Sequence, residues 1–143
     1  MKRKAIKVLF LCTANSCRSQ MAEGFARQHG GGLIEPCSAG ANPTSLHPLA
    51  VEVMKEVGVD IADHHSKSIA DVPQDVDLVV TVCDQAAEAC PIFPGAAKTI
   101  HWSVPDPVQA KGTPAQIRAA FRRARDDIAA RVKALIEDLA HAS

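Results

Sequence analysis

The feature that most restricts the fold of this chain is the segment 77–82, whose sequence is Asp-Leu-Val-Val-Thr-Val. Its apolar and β-branched residues follow one another without alternation, which is typical of a strand buried on both faces of a parallel sheet. A similar run, 5–11, comes early in the chain, and shorter runs at 33–38 and 99–102 complete four predicted strands. Parallel strands need long crossover connections, so helices are expected between them.

Helical patterns lie between and after these strands. Segments 19–29 and 48–57 are predicted helices, and each is followed directly by glycine. The last helix begins after Thr113, because Thr113-Pro114-Ala115-Gln116 supplies an N-cap, a first-turn proline and a capping-box glutamine. Its arginines are predicted to form a solvated face, opposite apolar residues at helical spacing: Ile117, Phe121, Ala124, Ile128, Val132, Leu135 and Leu139.

This order of elements predicts an α/β fold, with one domain over 1–143 and a four-stranded parallel sheet flanked by helices. In such sheets ligands bind at the carboxyl ends of the strands. The 143 residues are enough for one core, and 47% of them are hydrophobic. The 16 basic residues balance 16 acidic ones, which argues against a nucleic-acid or membrane-surface binder.

The N-terminal basic residues precede an apolar run that is too short for a signal peptide or a membrane span. A cytoplasmic protein is therefore expected. An odd number of cysteines, five, indicates thiol chemistry in place of a structural disulfide framework.

Chemistry is concentrated where the first predicted strand meets the first helix, in the loop Cys12-Thr13-Ala14-Asn15-Ser16-Cys17-Arg18-Ser19. The N–H groups of such a loop and of the helix start can converge on one tetrahedral anion. The guanidinium of Arg18 can bind two of its oxygens, and the positive surroundings favour a thiolate at Cys12. A cysteine at a strand end can also be a small buried hydrophobe. The Arg-Ser ending, the small loop residues and the preceding strand favour the functional interpretation.

A second pair of thiols, Cys83 and Cys90, flanks an alanine-rich segment. If that segment is helical, the two Cα atoms lie about 10 Å apart, beyond disulfide reach unless the segment opens. Three interpretations stay open from the spacing: a redox pair, inert buried thiols, or zinc ligands together with His64 or His65. A redox role is favoured because Cys12 supplies a sulfur that these thiols can attack.

Taken together, the motifs resemble the thioredoxin-coupled arsenate reductases, which share the fold of the low-molecular-weight protein tyrosine phosphatases. The resemblance covers almost the whole chain. Its motifs are Cys12-x5-Arg18-Ser19 with Gln20-Met21-Ala22-Glu23-Gly24, then Ser38-Ala39-Gly40, Val80-Thr81-Val82-Cys83 with Cys90-Pro91, His101-Trp102 and Asp106-Pro107.

The resemblance implies a role for each site residue. Cys12 would attack arsenate, and Asp106 would protonate the leaving oxygen. Arg18 and the N–H groups of the loop would hold the oxyanion. Ser19 would hydrogen-bond the Cys12 thiolate, and Asn15 would brace the loop. The oxyanion-binding set is Thr13, Ala14, Asn15, Ser16, Cys17, Arg18 and Ser19.

The resemblance also implies a relay of disulfides. Cys83 would attack the Cys12–arsenic adduct, releasing arsenite and leaving a Cys12–Cys83 disulfide. Cys90 would convert it into Cys83–Cys90, which thioredoxin reduces. No metal or bound cofactor is needed, and a monomer is expected.

Two positions depart from the pattern of the relatives. Ala14 stands where many of them have glycine, a change expected to be tolerated at negative φ. Some relatives bind potassium through Asn, Glu, Ser and Asp side chains; Asn15, Glu23 and Ser38 match, whereas Lys67 replaces the acidic ligand. Its ammonium group is expected to take the place of the ion, so no potassium dependence is predicted.

The remaining cysteines and histidines receive weaker predictions. Cys17 is expected to contribute mainly its backbone N–H, and Cys37 to belong to the core. His47, His64 and His65 are predicted to be surface or capping residues, and His101 and Trp102 to pack beside the Asp106 loop.

Two other functions compete with arsenate reduction. A phosphotyrosine phosphatase would use Cys12, Arg18 and Asp106 without a second thiol pair. Such enzymes usually carry aromatic residues after Asp-Pro and a proline after Arg-Ser, whereas Val108 and Gln20 occupy these places and the chain has no tyrosine. A non-enzymatic redox sensor would need a partner surface or an output domain.

Overall fold

Four parallel strands form one sheet in the computed structural model, which describes residues 4–84, 92–93, 95 and 98–142. The strands are β1 (Ile6–Cys12), β2 (Ile34–Gly40), β3 (Leu78–Cys83) and β4 (Lys98–Ser103). Their order across the sheet is β2-β1-β3-β4. β1 pairs with both β2 and β3, so it lies in the interior of the sheet and ends between two neighbours.

Three α-helices bury one face of the sheet: α1 (Arg18–His29), α2 (Pro48–Glu56) and α3 (Pro114–His141). Side chains from β1 and β3, such as Phe10 and Val80, meet Met21 of α1 and Phe121 of α3 in one core cluster. The ring centroids of Phe10 and Trp102 lie 5.9 Å apart in the same cluster. The alternate residues of β1, Leu9 and Leu11, face the opposite side of the sheet.

The second face of the sheet is covered differently in the described part of the chain. Leu9, Leu11 and Val79 pack there against Val72, Val76 and Phe93, next to the short 3-10 helix η1 (Ile69–Asp71). A continuous apolar sequence in β1 and β3 is therefore required, because both faces of these strands are buried.

The structure confirms the predicted four-stranded parallel sheet and the three helices, with shifts at the ends. β1 and β3 each begin and end one residue later than predicted, so that Cys12 and Cys83 are their last residues. The helix predicted at 19–29 begins at Arg18. Two 3-10 helices, η1 and η2 (Pro107–Gln109), were not predicted, since three-residue turns leave no periodic pattern.

Helix α3 begins as predicted. The hydroxyl of Thr113 accepts from the backbone of Gln116, and the Gln116 side chain accepts from the backbone of Thr113. The prediction of a solvated arginine face is wrong at Arg125, which is only 8% exposed. Its Nη1 donates to the Val53 carbonyl and to Glu56, so hydrogen bonds compensate the burial of its charge.

Among the helices of the described residues, none has an apolar stretch long enough to cross a membrane.

Candidate active site

Cys12 and Cys83 lie at the same edge of the sheet because they end two adjacent parallel strands. β1 and β3 run in register from Val8 with Leu78 to Leu11 with Thr81. Both cysteines are buried, with exposures of 2% for Cys12 and 0% for Cys83. The carboxyl edge of the sheet thus carries two of the three cysteines predicted to react.

The thiol of Cys12 has two polar neighbours. Its Sγ lies 2.9 Å from Ser19 Oγ and 3.2 Å from the backbone nitrogen of Asn15, which donates to it. Ser19 Oγ itself accepts a hydrogen bond of 2.7 Å from Asn15 Nδ2. The hydroxyl hydrogen of Ser19 is not used by Asn15, and when Cys12 is a thiolate this hydrogen is the one that Ser19 donates to the sulfur.

The carbonyl groups of the loop after β1 accept hydrogen bonds on the side of the loop away from the thiol. The carbonyls of Thr13, Ala14 and Ser16 accept hydrogen bonds from the backbone nitrogens of Asn42, Thr44 and His47. A loop whose carbonyls are held on one side presents its N–H groups on the other, as an anion-binding nest does.

Helix α1 adds further donors to this nest. Its N-cap residue, Cys17, makes no side-chain capping hydrogen bond, so no thiol competes for the N–H groups of the first turn. These groups and the positive end of the helix dipole favour an anion at this point.

Two residues give the loop its shape. Asn15 adopts φ +50°, a left-handed conformation that asparagine tolerates better than most residues. Gly40, at the end of β2, lies against the loop so closely that a Cβ there would be 2.7 Å from Thr13 O and 2.8 Å from Asn15 N. Only glycine lets β2 approach the loop at this distance.

Arg18 and Asp106 face each other across the loop. Arg18, only 3% exposed, donates from Nη1 to the Val104 carbonyl at 3.1 Å, and its Nη2 lies 3.6 Å from Asp106 Oδ2. The other oxygen of Asp106 accepts from the Val108 backbone and caps η2. These bonds fix the carboxylate beside the guanidinium.

A cavity of about 170 Å³ joins these groups. Its described lining contains a nucleophile, a guanidinium and a carboxylate but no aromatic ring, and it consists of Cys12, Thr13, Ala14, Ser16, Cys17, Arg18, Asp106 and Gln109. The Thr13 Oγ1 atom in this lining is buried and has no hydrogen-bond partner in the described structure. The space suits a small tetrahedral oxyanion better than an aromatic ester.

The structure places the two other free thiols in inert surroundings. Burial raises the pKa of Cys17 well above its usual value, and the neighbouring Cys12 and Asp106 add to the effect. Burial also raises the pKa of Cys37 to about 11, with a contribution from Glu23. Cys37 packs against the apolar residues on the opposite face of the sheet, the group that includes Leu9 and Leu11, as expected for a core residue. Both environments disfavour the thiolate that redox chemistry needs.

Cys83 is disulfide-bonded, whereas Cys12, Cys17 and Cys37 are free. Cys90, the third cysteine of the predicted relay, lies outside the described residues, as does the segment that separates it from Cys83.

The predicted replacement of a cation by Lys67 can be tested at Glu23. One carboxylate oxygen of Glu23 accepts from Ser38 Oγ at 2.6 Å and lies 3.9 Å from Lys67 Nζ. The other accepts from Arg27 at 2.7 Å. With two cationic side chains at this carboxylate, the residues present do not fit a bound potassium ion.

A layer of buried polar residues beneath the loop was not predicted from the sequence. Gln20 is fully buried and bonds to Asn15, His64 and His65. The prediction of His64 as a surface or capping residue is wrong: its side chain is only 13% exposed, and burial lowers its pKa despite the nearby Glu23. The one feature of the sequence that pointed to this layer was Gln20, a polar residue directly before the apolar residues on the inner face of α1.

Other predicted packing roles are confirmed. His47 caps α2 by accepting from the Leu49 backbone. Trp102 is buried in the main core, as a packing role requires. His101 Nδ1 lies 2.7 Å from Thr81 Oγ1, and the expected packing of both residues beside the Asp106 loop stays a prediction.

The model of the low molecular weight phosphotyrosine protein phosphatase family matches residues 7–143. The chain belongs to this family. The predicted family resemblance and the predicted fold are thereby confirmed.

Within this family, the chain is similar to proteins named arsenate reductase. One from Bacillus subtilis is 47% identical over 131 residues, which are 91% of this chain and 94% of that protein. The solved structure of an arsenate reductase in its phosphate-binding state is 35% identical, with a TM-score of 0.76 over 94% of this chain and 98% of the other. The thioredoxin-dependent arsenate reductase of Corynebacterium glutamicum is 25% identical, with a TM-score of 0.73 over all of this chain and 66% of that one.

Proposed function

We propose that the protein reduces arsenate to arsenite with Cys12 as the nucleophile and thioredoxin as the electron donor. The observation that carries the proposal is the pairing of β1 with β3, which brings the anion-facing Cys12 and a second cysteine, Cys83, to one edge of the sheet. Hydrolysis of a phosphate ester needs only the first of these thiols. The arsenate reductases to which the chain is similar support the same choice.

Binding and attack use groups that the fold has already oriented. Arsenate occupies the small cavity, held by the loop N–H groups and Arg18. The Cys12 thiolate attacks arsenic, and Asp106 gives its proton to the oxygen that leaves as water. The product of this step is a Cys12–arsenic(V) adduct.

Reduction follows by thiol exchange. The Cys83 thiolate attacks Cys12 Sγ, the sulfur–arsenic bond breaks, and its electron pair stays on arsenic, which leaves as arsenite. The Cys90 thiolate then attacks Cys83 Sγ and releases the Cys12 thiolate. The resulting Cys83–Cys90 disulfide takes two electrons from the thioredoxin dithiol, so the cycle consumes one dithiol for each arsenate.

Thioredoxin is proposed as donor on two grounds: both distal cysteines are in the sequence, and one solved relative is thioredoxin-dependent. We expect the protein to act as a cytoplasmic monomer without a bound cofactor. These expectations stay predictions.

The alternative, a phosphotyrosine phosphatase, would use the same cavity. No aromatic side chain is found in the described lining to stack on a phenyl ring. We therefore expect only slow hydrolysis of small aryl phosphates as a side reaction.

The test is arsenate-dependent oxidation of NADPH in the presence of thioredoxin and thioredoxin reductase, with the natural protein and the Cys90→Ser variant. Turnover that disappears in the variant supports the relay. Turnover that survives would show that another thiol resolves the Cys12–Cys83 disulfide. If aryl phosphate hydrolysis exceeds arsenate reduction, the primary function is phosphatase.

A further inference from the structure

Gln20 is a fully buried amide that bridges the Cys12 loop and the segment 64–67. Its Nε2 lies 3.1 Å from Asn15 O, 3.0 Å from Asn15 Oδ1 and 2.8 Å from His65 O. An NH2 group has two hydrogens for these three acceptors. One hydrogen therefore serves His65 and the other is shared by the two oxygens of Asn15.

The opposite end of this amide is also fixed. Gln20 Oε1 lies 3.0 Å from His64 Nδ1 and can only accept, so the imidazole carries its hydrogen on Nδ1. All three partners of Nε2 are oxygens, and this alone sets the orientation of the amide. Gln20 thus has a partner for each of its polar groups in a site without access to solvent.

Asn15 connects Gln20 to the nucleophile, Cys12, because it donates hydrogen bonds to Cys12 and to Ser19. Its backbone N–H donates to Cys12 Sγ, and its side-chain amide donates to Ser19 Oγ, which lies against the same sulfur. Both donors are correctly placed only while Asn15 keeps its φ of +50°. Backbone strain of this kind persists where surrounding contacts over-determine the conformation.

Among the described residues, three donate hydrogen bonds to the oxygens of Asn15. Ser66 Oγ donates to Asn15 O at 2.7 Å, and the Lys67 backbone donates to Asn15 Oδ1 at 2.9 Å. Gln20 alone reaches both oxygens, one on the backbone and one on the side chain. It therefore fixes the rotation of the Asn15 side chain relative to its own backbone.

We propose that Gln20 is a positioning residue, which holds Asn15 in the left-handed conformation that directs two hydrogen-bond donors at Cys12 and Ser19. The proposal rests on the proposed function only in taking Cys12 as the nucleophile. Gln20 does not line the oxyanion cavity, so its loss lowers the reactivity of Cys12 more than it weakens the binding of arsenate.

The experiment compares the fully reduced natural protein with Gln20→Met and Gln20→Asn. Methionine fills a similar volume without donors, and asparagine keeps the amide on a shorter chain. Gln28→Met is the matched control, because Gln28 is an exposed glutamine of the same helix. Alkylation by iodoacetamide at neutral pH is followed separately at Cys12 and Cys17 by peptide mass spectrometry, together with kcat and KM for arsenate.

We expect alkylation of Cys12 and kcat to fall about tenfold in Gln20→Met, as loss of a charge-assisted hydrogen bond predicts. KM for arsenate should change less than threefold, and Gln28→Met should match the natural protein. Cys17 should stay protected, because burial raises the pKa of its thiol well above the usual value and so disfavours the reactive thiolate. A merely structural role of Gln20 would instead loosen the core and speed the labelling of Cys17.

A folded Gln20→Met or Gln20→Asn protein that alkylates at Cys12 as fast as the natural protein overturns the proposal. The asparagine variant keeps the test available if methionine prevents folding. Alkylation requires neither arsenate nor thioredoxin. A natural protein without arsenate turnover, combined with slow alkylation of the variants, would therefore contradict the proposed function and leave the role of Gln20 supported.

Discussion

Lys67 Nζ lies 3.9 Å from Oε1 of the buried Glu23, within reach of the carboxylate that a monovalent cation would otherwise neutralise. Glu23 also accepts from Ser38 and from Arg27, so its charge is compensated by protein groups alone. A buried carboxylate without such partners would be costly. The chain thus supplies its own cation near the layer that supports the Cys12 loop.

We therefore predict that potassium does not raise arsenate turnover. The measurement compares potassium and sodium chloride at constant ionic strength in the thioredoxin-coupled assay. In Lys67→Asp, the added carboxylate replaces the ammonium group, and turnover should become dependent on potassium. Lys55→Asp changes an exposed lysine of α2 by the same charge and should show no dependence. Clear stimulation of the natural protein by potassium would contradict the prediction.

Arg18→Lys should weaken oxyanion binding by about tenfold or more. The planar guanidinium can bind two oxygens while it holds the Val104 carbonyl, and an ammonium group cannot reproduce this fork. The dissociation constant for phosphate, measured by calorimetry, checks this without any turnover. Arg118→Lys, at an exposed side chain of α3, is the control. Equal phosphate affinity of Arg18→Lys and the natural protein would show that the guanidinium is not an anion ligand.

The sequence was sufficient to predict the strands, because β1 and β3 are buried on both faces and carry continuous apolar runs. It also predicted that Cys12 and Arg18 belong to one site, since both lie within one short loop, and both line the same cavity. The sequence did not predict the contacts of Gln20 with His64 and His65, because these residues lie 44 and 45 positions away along the chain and meet Gln20 only in the folded protein. Arg125 was misassigned because it was grouped with the other arginines by its charge, although it lies four positions after Phe121 and three before Ile128, on the buried face of α3, where its partners on α2 are within reach.

Gly40→Ala should displace the Cys12 loop. The new Cβ would lie 2.7 Å from Thr13 O and 2.8 Å from Asn15 N, and both are backbone atoms that cannot rotate away. Overpacking of this kind costs about 1–3 kcal/mol of unfolding free energy. We expect a lower urea midpoint and a loss of phosphate binding.

Gly32→Ala is the matched control for this substitution, because a Cβ at Gly32 would meet no atom within 4 Å. A Gly40→Ala protein as stable as Gly32→Ala, with undiminished phosphate binding, would show that the loop can move to accept the methyl group.

The ion pairs of Glu56 with two arginines of α3 make the free energy of unfolding depend on pH in the acid range. Arg122 Nη2 and Arg125 Nη1 each lie 2.7 Å from a different oxygen of the Glu56 carboxylate. The hydrogen bond from Arg122, with help from Arg125 and against partial desolvation, lowers the pKa of Glu56 from 4.5 to about 2. The folded state therefore releases this proton more readily than the unfolded state, and the ionised carboxylate stabilises the fold.

This contribution is fully present above the unfolded pKa of 4.5 and is lost as the pH falls toward about 2. Urea unfolding of the natural protein and Glu56→Gln at pH 7, 4 and 3 measures it. The free energies of unfolding should differ most at pH 7 and converge as the pH falls, with solvent screening moderating the difference because the side chain is 35% exposed. Glu52→Gln, whose partner Arg118 is exposed, should show a smaller difference. A gap between Glu56→Gln and the natural protein that stays constant from pH 7 to 3 would mean that the ion pairs with Arg122 and Arg125 do not stabilise the fold.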